Sequence, residues 1–501
     1  MSTAIALPVA IPLGSAALAL LAWRHPRVQS WISLASSAAL LASSIALLFE
    51  VRASGGVLVT QVAAWPAPYG IALVVDALAA IVLCFAAFLG LAVVVYSLRR
   101  RDRRAAFGLH PLLQIVMAGV CGAIVTGDLF NLFVWFEIQL VASVVLISLG
   151  STRTQLAGAL VYVTLNIIAS SLLLVAIGLL YGLTGTLSIA DMAARWSALP
   201  PSAARSAASV LFLGALGVKA AVFPFFFWLP ASYHAPSPAV SALLAGLLTK
   251  VAVYAIIRVQ TVVFGAWVGV PRGVMLAIAG LTMLTGVLGA AAQNDLRRIL
   301  SFHIVSQIGY MVMGLAISTA LGVAGAIFFL LHNVVAKSAL FLVAGIVEHE
   351  RGTGDLDRLG ALARERPIVA ALFLVPALSL AGMPPLSGFV GKLLLVRAGL
   401  EAGAWTVTAI ALLVSVLTLY SMSKIWIRAF WAPREVEAAA GPRAPLTMIL
   451  PTAAVAAASV VLGVTGGPFV ALSTDASLQL LDRDAYVAEV LAAGGAREDA
   501  P

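Results

Sequence analysis

The chain has 501 residues, of which 62% are hydrophobic and only 10% are charged. Soluble globular domains run at about 45–50% apolar and about 25% charged residues, so this composition excludes a soluble protein and leaves a polytopic membrane protein. The formal net charge of +9 does not point to nucleic acid, because the arginines gather at the ends of apolar runs, as membrane topology demands.

A helix needs about 20 mostly apolar residues to cross the hydrocarbon. On that rule the sequence predicts about 14 spans, near 4–22, 30–50, 71–97, 107–126, 129–150, 157–183, 206–228, 238–262, 270–292, 299–318, 322–347, 367–396, 403–427 and 447–465. The runs are long and continuous, whereas strands of a membrane barrel are short and alternating, so the expected fold class is an all-α polytopic membrane protein. The first run is read as a span and not as a cleaved signal, since its first positive charge, Arg24, follows the apolar stretch. The tail beyond 466, ending AAGGAREDAP, is expected to be poorly ordered.

Basic residues set the orientation. Loops after odd-numbered spans, including the run RRRDRR at 99–104, hold 18 of the 30 Lys and Arg residues; loops after even-numbered spans and the tail hold 8, among them Arg258. Cytoplasmic loops attract Lys and Arg, so both termini are expected outside the cell membrane. The remaining four cations lie in no loop.

Only five residues are lysine, and four of them, Lys219, Lys250, Lys337 and Lys392, sit inside apolar runs. One carboxylate, Glu137, lies likewise within FNLFVWFEIQL and is expected to be the one deeply buried acid. Each such charge costs about 2.5–3.5 kcal/mol at mid-helix, so five of them rival the about 5–15 kcal/mol net stability of a domain. Snorkelling suits helix ends, yet Lys219 and Lys250 have long apolar flanks on both sides, and one anion cannot neutralise four cations as fixed ion pairs. Lysine suits proton exchange better than arginine, because a desolvated ammonium can give up its proton and a guanidinium cannot. An interior proton-transfer line is therefore expected, with Lys219 or Lys250 the natural partner of Glu137. His332, five residues before Lys337 and off its helix face, adds a group that titrates near neutrality. His303 lies with Ser306 and Gln307 in SFHIVSQIGYMV, and its reading as a satisfied interior polar group stands beside a functional one; His110 and His234 fall near span ends and look peripheral.

Two lysines keep company with prolines. In GVKAAVFPFFFWLP, Pro224 follows Lys219, and in LVPALSLAGMPPLSGFVGKLLLV, Pro384 and Pro385 precede Lys392. A proline inside a helix frees the carbonyl four residues back, here Ala220 in one segment and Leu380 and Ala381 in the other. Broken helix in a bilayer is tolerated where it lines protein or a wet cavity, so spans 7 and 12 are expected to be broken beside their lysines. Their five-span separation predicts two five-helix repeats, spans 4–8 and 9–13, inverted relative to each other, as in secondary transporters. The expected division is 1–105 for helices 1–3, 106–265 and 266–430 for the repeats, and 431–501 for the last helix and tail.

These segments (FNLFVWFE, GVKAAVFPFFFWLPASYHAPSPAVSALLAG, LLTKVAVY, SQIGY and GMPPLSGFVGK) resemble the antiporter-like subunits shared by respiratory complex I, membrane-bound hydrogenases and the Mrp-type multisubunit cation/proton antiporters, over roughly residues 70–430. The resemblance implies a Glu137–Lys219 ion pair, a path through Lys250 and His332 or Lys337, and Lys392 as its terminal group. Within the family the pattern is most similar to the D-type branch of the Mrp antiporters: Lys392 departs from the complex I M-type, and the chain ends without the lateral helix of the L-type or the extra domains of the Mrp A type. The N-type subunit of complex I or a hydrogenase is the alternative. The implied function is a transporter subunit with no chemistry of its own, partnered by an A-type antiporter-like subunit, small membrane subunits and lipid. No cofactor is expected, since Cys84 and Cys121 in separate spans cannot build an iron–sulfur site. No carboxylate cage for sodium is visible, so the exchanged cation is expected on a partner subunit.

Overall fold

The structure is a computed structural model that describes residues 3–65, 68–98, 108–265, 269–433 and 441–495. The RRRDRR run, Arg434, Arg497 and the last residues of the tail lie outside the described residues. Among the described residues, 12 helices are long and apolar enough to cross a membrane, and two shorter apolar helices, Leu109–Val125 and Pro367–Ala381, accompany them.

In chain order the helices are α1 (Leu7–Leu21), α2 (Pro26–Ser54), α3 (Ala77–Ser97), α4 (Leu109–Val125), α5 (Leu129–Ser148), α6 (Arg153–Thr184), α7 (Ile189–Ala198), α8 (Ala203–Ala220) and α9 (Trp228–Ser232). They continue with α10 (Pro238–Phe264), α11 (Arg272–Ala292), α12 (Leu296–Ile317), α13 (Ala320–Arg351), α14 (Pro367–Ala381), α15 (Ser387–Glu401), α16 (Trp405–Trp431), α17 (Leu446–Val464), α18 (Gly466–Leu481) and α19 (Arg483–Gly495). Their starts are written in the sequence. Asp76, Asp128, Ser202, Asp295 and Thr319 each take a backbone N–H of the first turn with the side chain, and Thr152 forms a reciprocal capping box with Gln155.

The centre of the bundle is α13. Its most apolar stretch is wholly buried, and α3, α10, α12, α14, α15, α17 and α18 all pack on it. A helix apolar on every side belongs in such a position, and the polar residues of its middle, His332, Asn333, Lys337 and Ser338, are all fully buried there.

Three expectations change. The tail is not poorly ordered over its described part: α18 packs on α13 and α3, and α19 packs on α7. Serine, alanine and leucine on one side of α18 supply a buried stripe, with Ser473, Ala476, Ser477 and Leu480 inside. The third span, expected from 71, starts as a helix only at Ala77, and the residues before it hold a two-stranded antiparallel hairpin, β1 (Leu58–Gln61) and β2 (Ala72–Val75), paired Leu58 to Val75 and Gln61 to Ala72. The last helices clasp this hairpin: Gln479 Oε1 accepts from Ala77 N at 2.9 Å, and Glu489 Oε2 accepts from Val57 N at 2.6 Å.

The third change concerns charge. Arg258 is not in a loop; it sits inside α10, 3% exposed, and donates to Asp76 Oδ1 of fully buried Asp76 at 2.6 Å. Asp76 also caps α3 through Ala79 N, while Tyr254 and Tyr486 supply phenolic oxygens to the guanidinium. Glu137 is therefore not the one deeply buried acid. Removing one partner of a buried pair leaves an uncompensated charge, at a loss of about 3–5 kcal/mol. Asp76→Asn is expected to lower the melting temperature of the purified protein accordingly, and replacing Arg258 by Met in the same chain should recover much of that loss.

Candidate functional site

Span 7 is interrupted, but not by a proline inside a helix. α8 ends at Ala220 because Ala221 turns left-handed, with φ 59°, and Pro224 lies beyond that turn. Its ring therefore does not press on the turn of Ala220, which corrects the expectation from the sequence pattern. Lys219 stands in the last turn of α8, buried, and donates from Nζ to Ser170 Oγ of α6 at 2.8 Å. The ammonium also lies 5.1 Å from the centre of the Phe136 ring, a cation–π distance.

Glu137 follows Phe136 on α5. It is half-buried, and its Oε1 has no hydrogen-bond partner among the described residues. Among the described residues neither Glu137 nor Lys219 forms an ion pair, so the implied Glu137–Lys219 pair is not made here, and the lysine rests on Ser170.

Lys250 follows a feature that the sequence does not announce. Residues Leu244–Leu248 of α10 form a π-helical turn, and Lys250 Nζ reaches back to Ala245 O at 2.6 Å, with Thr249 Oγ1 at 3.4 Å. Gly246 makes the turn fit. A Cβ there would meet Leu89 Cδ2 and Ser338 Oγ, both at 2.3 Å, so only glycine lets α10 approach α13 this closely. A wide turn between His332 and Lys337 would be one way to bring those two residues onto one face. The structure keeps α13 regular there and puts the wide turn beside Lys250 instead.

His332 and Lys337 are fully buried on α13. His332 Nδ1 faces Ser387 Oγ at 2.8 Å, and Ser387, Ser379 and Ser459 close a triangle of hydroxyls at 3.0 Å each. Gly388 permits this: a Cβ would lie 1.7 Å from Ser379 O and 3.0 Å from His332 Cε1. Lys337 Nζ has no hydrogen-bond partner among the described residues.

Span 12 is interrupted between α14 and α15, where Gly382 turns left-handed with φ 91° and Pro384 and Pro385 follow in the turn. Lys392 of α15 then takes the two carbonyls left without helical donors: Nζ donates to Leu380 O and Ala381 O, each at 3.0 Å. These are the carbonyls that the sequence pattern singles out, although Gly382 ends the helix before the prolines are reached. The ammonium also lies 5.2 Å from the Tyr310 ring centre.

One set of groups is not legible from the sequence as a set. His303 Nδ1, Ser306 Oγ and both polar side-chain atoms of Gln307 on α12, with His332 Nε2, Asn333 Oδ1 and Lys337 Nζ on α13, are buried without a partner among the described residues. Buried polar atoms of this kind are satisfied by water. His303 itself contacts Ser421 Oγ through Nε2. The clue in the sequence is a row of polar residues on helices otherwise apolar, and serine and asparagine are too common in spans to make it specific. His234 lies outside the spans, bonded to Pro230 O at 2.9 Å, and burial lowers its pKa from the ordinary histidine value.

A family model described as NADH:quinone oxidoreductase/Mrp antiporter, TM, matches residues 126–418. The D-type Na+/H+ antiporter subunit of Alkalihalophilus pseudofirmus is 40% identical over 98% of this chain and 100% of its own length. A chain in the structure of the Mrp complex from Dietzia sp. DQ12-45-1b superposes with a TM-score of 0.90 at 35% identity, covering 98% of this chain and 100% of that one. A chain of an archaeal membrane-bound sulfane sulfur reductase gives a TM-score of 0.91 over 98% of this chain and 100% of its own. At 24% identity that likeness speaks to fold alone.

Proposed function

The chain belongs to the NADH:quinone oxidoreductase/Mrp antiporter transmembrane family, and from that premise we propose that it is the D-type subunit of a multisubunit Na+/H+ antiporter. In this reading it carries protons along Glu137, Lys219, Lys250, His332, Lys337 and Lys392. The observation that carries the proposal is the set of four buried lysines, none of them in an ion pair among the described residues. Lys219 rests on a hydroxyl, Lys250 and Lys392 rest on carbonyls freed by irregular helix, and Lys337 has no hydrogen-bond partner among the described residues. None of these contacts neutralises the charge, so each lysine can exist with or without its proton.

The open Glu137–Lys219 pair supports a switch: closure holds the proton on Lys219, and opening releases it toward Lys250. Counting the two shorter apolar helices and the interrupted segments, we read 14 spans, with spans 4–8 and 9–13 as repeats of opposite orientation. The arginine-rich loops favour odd-numbered connections in the cytoplasm and both termini outside the plasma membrane. An A-type antiporter-like subunit and small membrane subunits complete the complex, and sodium binds on a partner. The chain itself performs transport and no covalent chemistry.

The test is proton movement in vesicles that hold the assembled complex. A sodium gradient without any redox substrate is expected to drive it, and Lys219→Ala or Glu137→Gln should abolish it while the complex still assembles. Proton movement that needs a redox substrate would assign the chain to a respiratory complex instead, and normal exchange in both variants would remove the proton line.

A further inference from the structure

The break in span 7 brings two groups to one place. α8 stops just past Lys219, and the chain restarts as α9, which delivers Tyr233 at its end. The two sides of the break are tied together, since Trp228 Nε1 donates to Val218 O at 2.9 Å. Lys219 and Tyr233 thereby line one small cavity together with Gln139, Asn166 and Leu248. Its volume is about 20 Å³, enough for a single water.

Tyr233 is fully buried, and its hydroxyl has no partner among the described residues. The ring is fixed: it packs edge-on to Trp228 with centroids 5.6 Å apart and lies 6.3 Å from Tyr162. Buried hydroxyls are almost always bonded, and a cavity with polar walls is where water supplies the bond. The far wall points onward along the line. Leu248 is the last residue of the π-helical turn that precedes Lys250, and Ser241 Oγ of the same helix donates to Tyr233 O at 2.8 Å.

We propose that Tyr233 Oη positions a single water against Lys219 Nζ, and that this water is the first station for a proton leaving Lys219 toward Lys250. The inference rests on the proton line proposed above. When an N–H bond of the Lys219 ammonium breaks, the water oxygen gains that proton and gives one of its own hydrogens onward, toward the neutral Lys250 amine. Tyr233 keeps its own proton throughout and is a positioning residue. The interrupted helix has a function in this account: an unbroken helix could not present a lysine and a tyrosine from opposite sides of one water.

Tyr233→Phe in the complete complex is the test, because it keeps the ring against Trp228 and Tyr162 and removes only the hydroxyl. Complex yield and melting temperature should match the parent. Sodium-driven proton movement should fall about tenfold or more, with a larger ratio of rates in H2O and D2O. A high-resolution map of the parent should place water between Tyr233 Oη and Lys219 Nζ, and the variant should lose it. A parental rate overturns the inference, and so does a slower rate with an unchanged isotope ratio, which would mark a packing defect. Lys219→Ala, measured in the same vesicles, separates the failures. If it is inactive while Tyr233→Phe is normal, only the water station falls; if it transports normally, the proton line falls and the station with it.

Discussion

Replacing Lys392 with arginine is expected to leave an assembled complex that moves protons at least about 100-fold more slowly. The two carbonyls that receive Lys392 Nζ, Leu380 O and Ala381 O at 3.0 Å, are satisfied by any cationic donor, so the guanidinium can keep the interrupted helix together. It cannot take part in exchange. An arginine holds its proton at least about two pKa units more tightly than a lysine, and each unit is a factor of about ten in the population able to accept a proton. Melting temperature and subunit stoichiometry show whether packing beside Gly382 survived, and the initial rate of proton movement at matched protein levels shows whether the group must titrate. An intact complex transporting at the parental rate would make Lys392 a fixed charge that caps a broken helix and nothing more. Lys250→Arg is the same experiment at Ala245 O, with the same expected outcome.

That prediction can be framed from sequence because charge inside an apolar run is costly wherever it occurs. The position of each lysine and the presence of interrupted helix near two of them are legible, down to the carbonyls of Leu380 and Ala381. The cause of each break is not. Proline is a visible signal, whereas an alanine such as Ala221 carries no mark in the sequence of the left-handed conformation it adopts. The π-helical turn at Leu244–Leu248 is hidden too: nothing in LAGLL distinguishes it from regular helix, and the residues that leave no room for a Cβ at Gly246, Leu89 and Ser338, are remote in sequence. Hydropathy also misplaces Arg258. A window average sees a basic residue near the end of an apolar run and cannot see its partner Asp76, 182 residues away in sequence. Glu137 is half-buried rather than deeply buried, since an apolar run says that a side chain is in the membrane but not how fully its neighbours cover it.

Lys337 permits a sharper test, because two readings of it predict opposite signs. It is the central lysine, fully buried on the helix at the middle of the bundle, and its Nζ has no hydrogen-bond partner among the described residues. If it were structural glue, removing it would destabilise the fold. If it is kept for proton transfer, the fold bears an uncompensated group for the sake of function, as strained or costly groups at functional sites commonly are. Lys337→Met preserves most of the side-chain volume and fills the space with an adaptable apolar chain. Relief of a buried charge by a well-packed apolar residue is worth up to about 1–4 kcal/mol, so the variant is expected to melt higher than the parent in detergent while transport is abolished. Adding the same substitution to Lys392→Arg should change the rate little, because one interruption of a serial path already sets it. A lower melting temperature with transport retained would mean that Lys337 is a purely structural cation, and the path between Lys250 and Lys392 would then have to run through His332 alone.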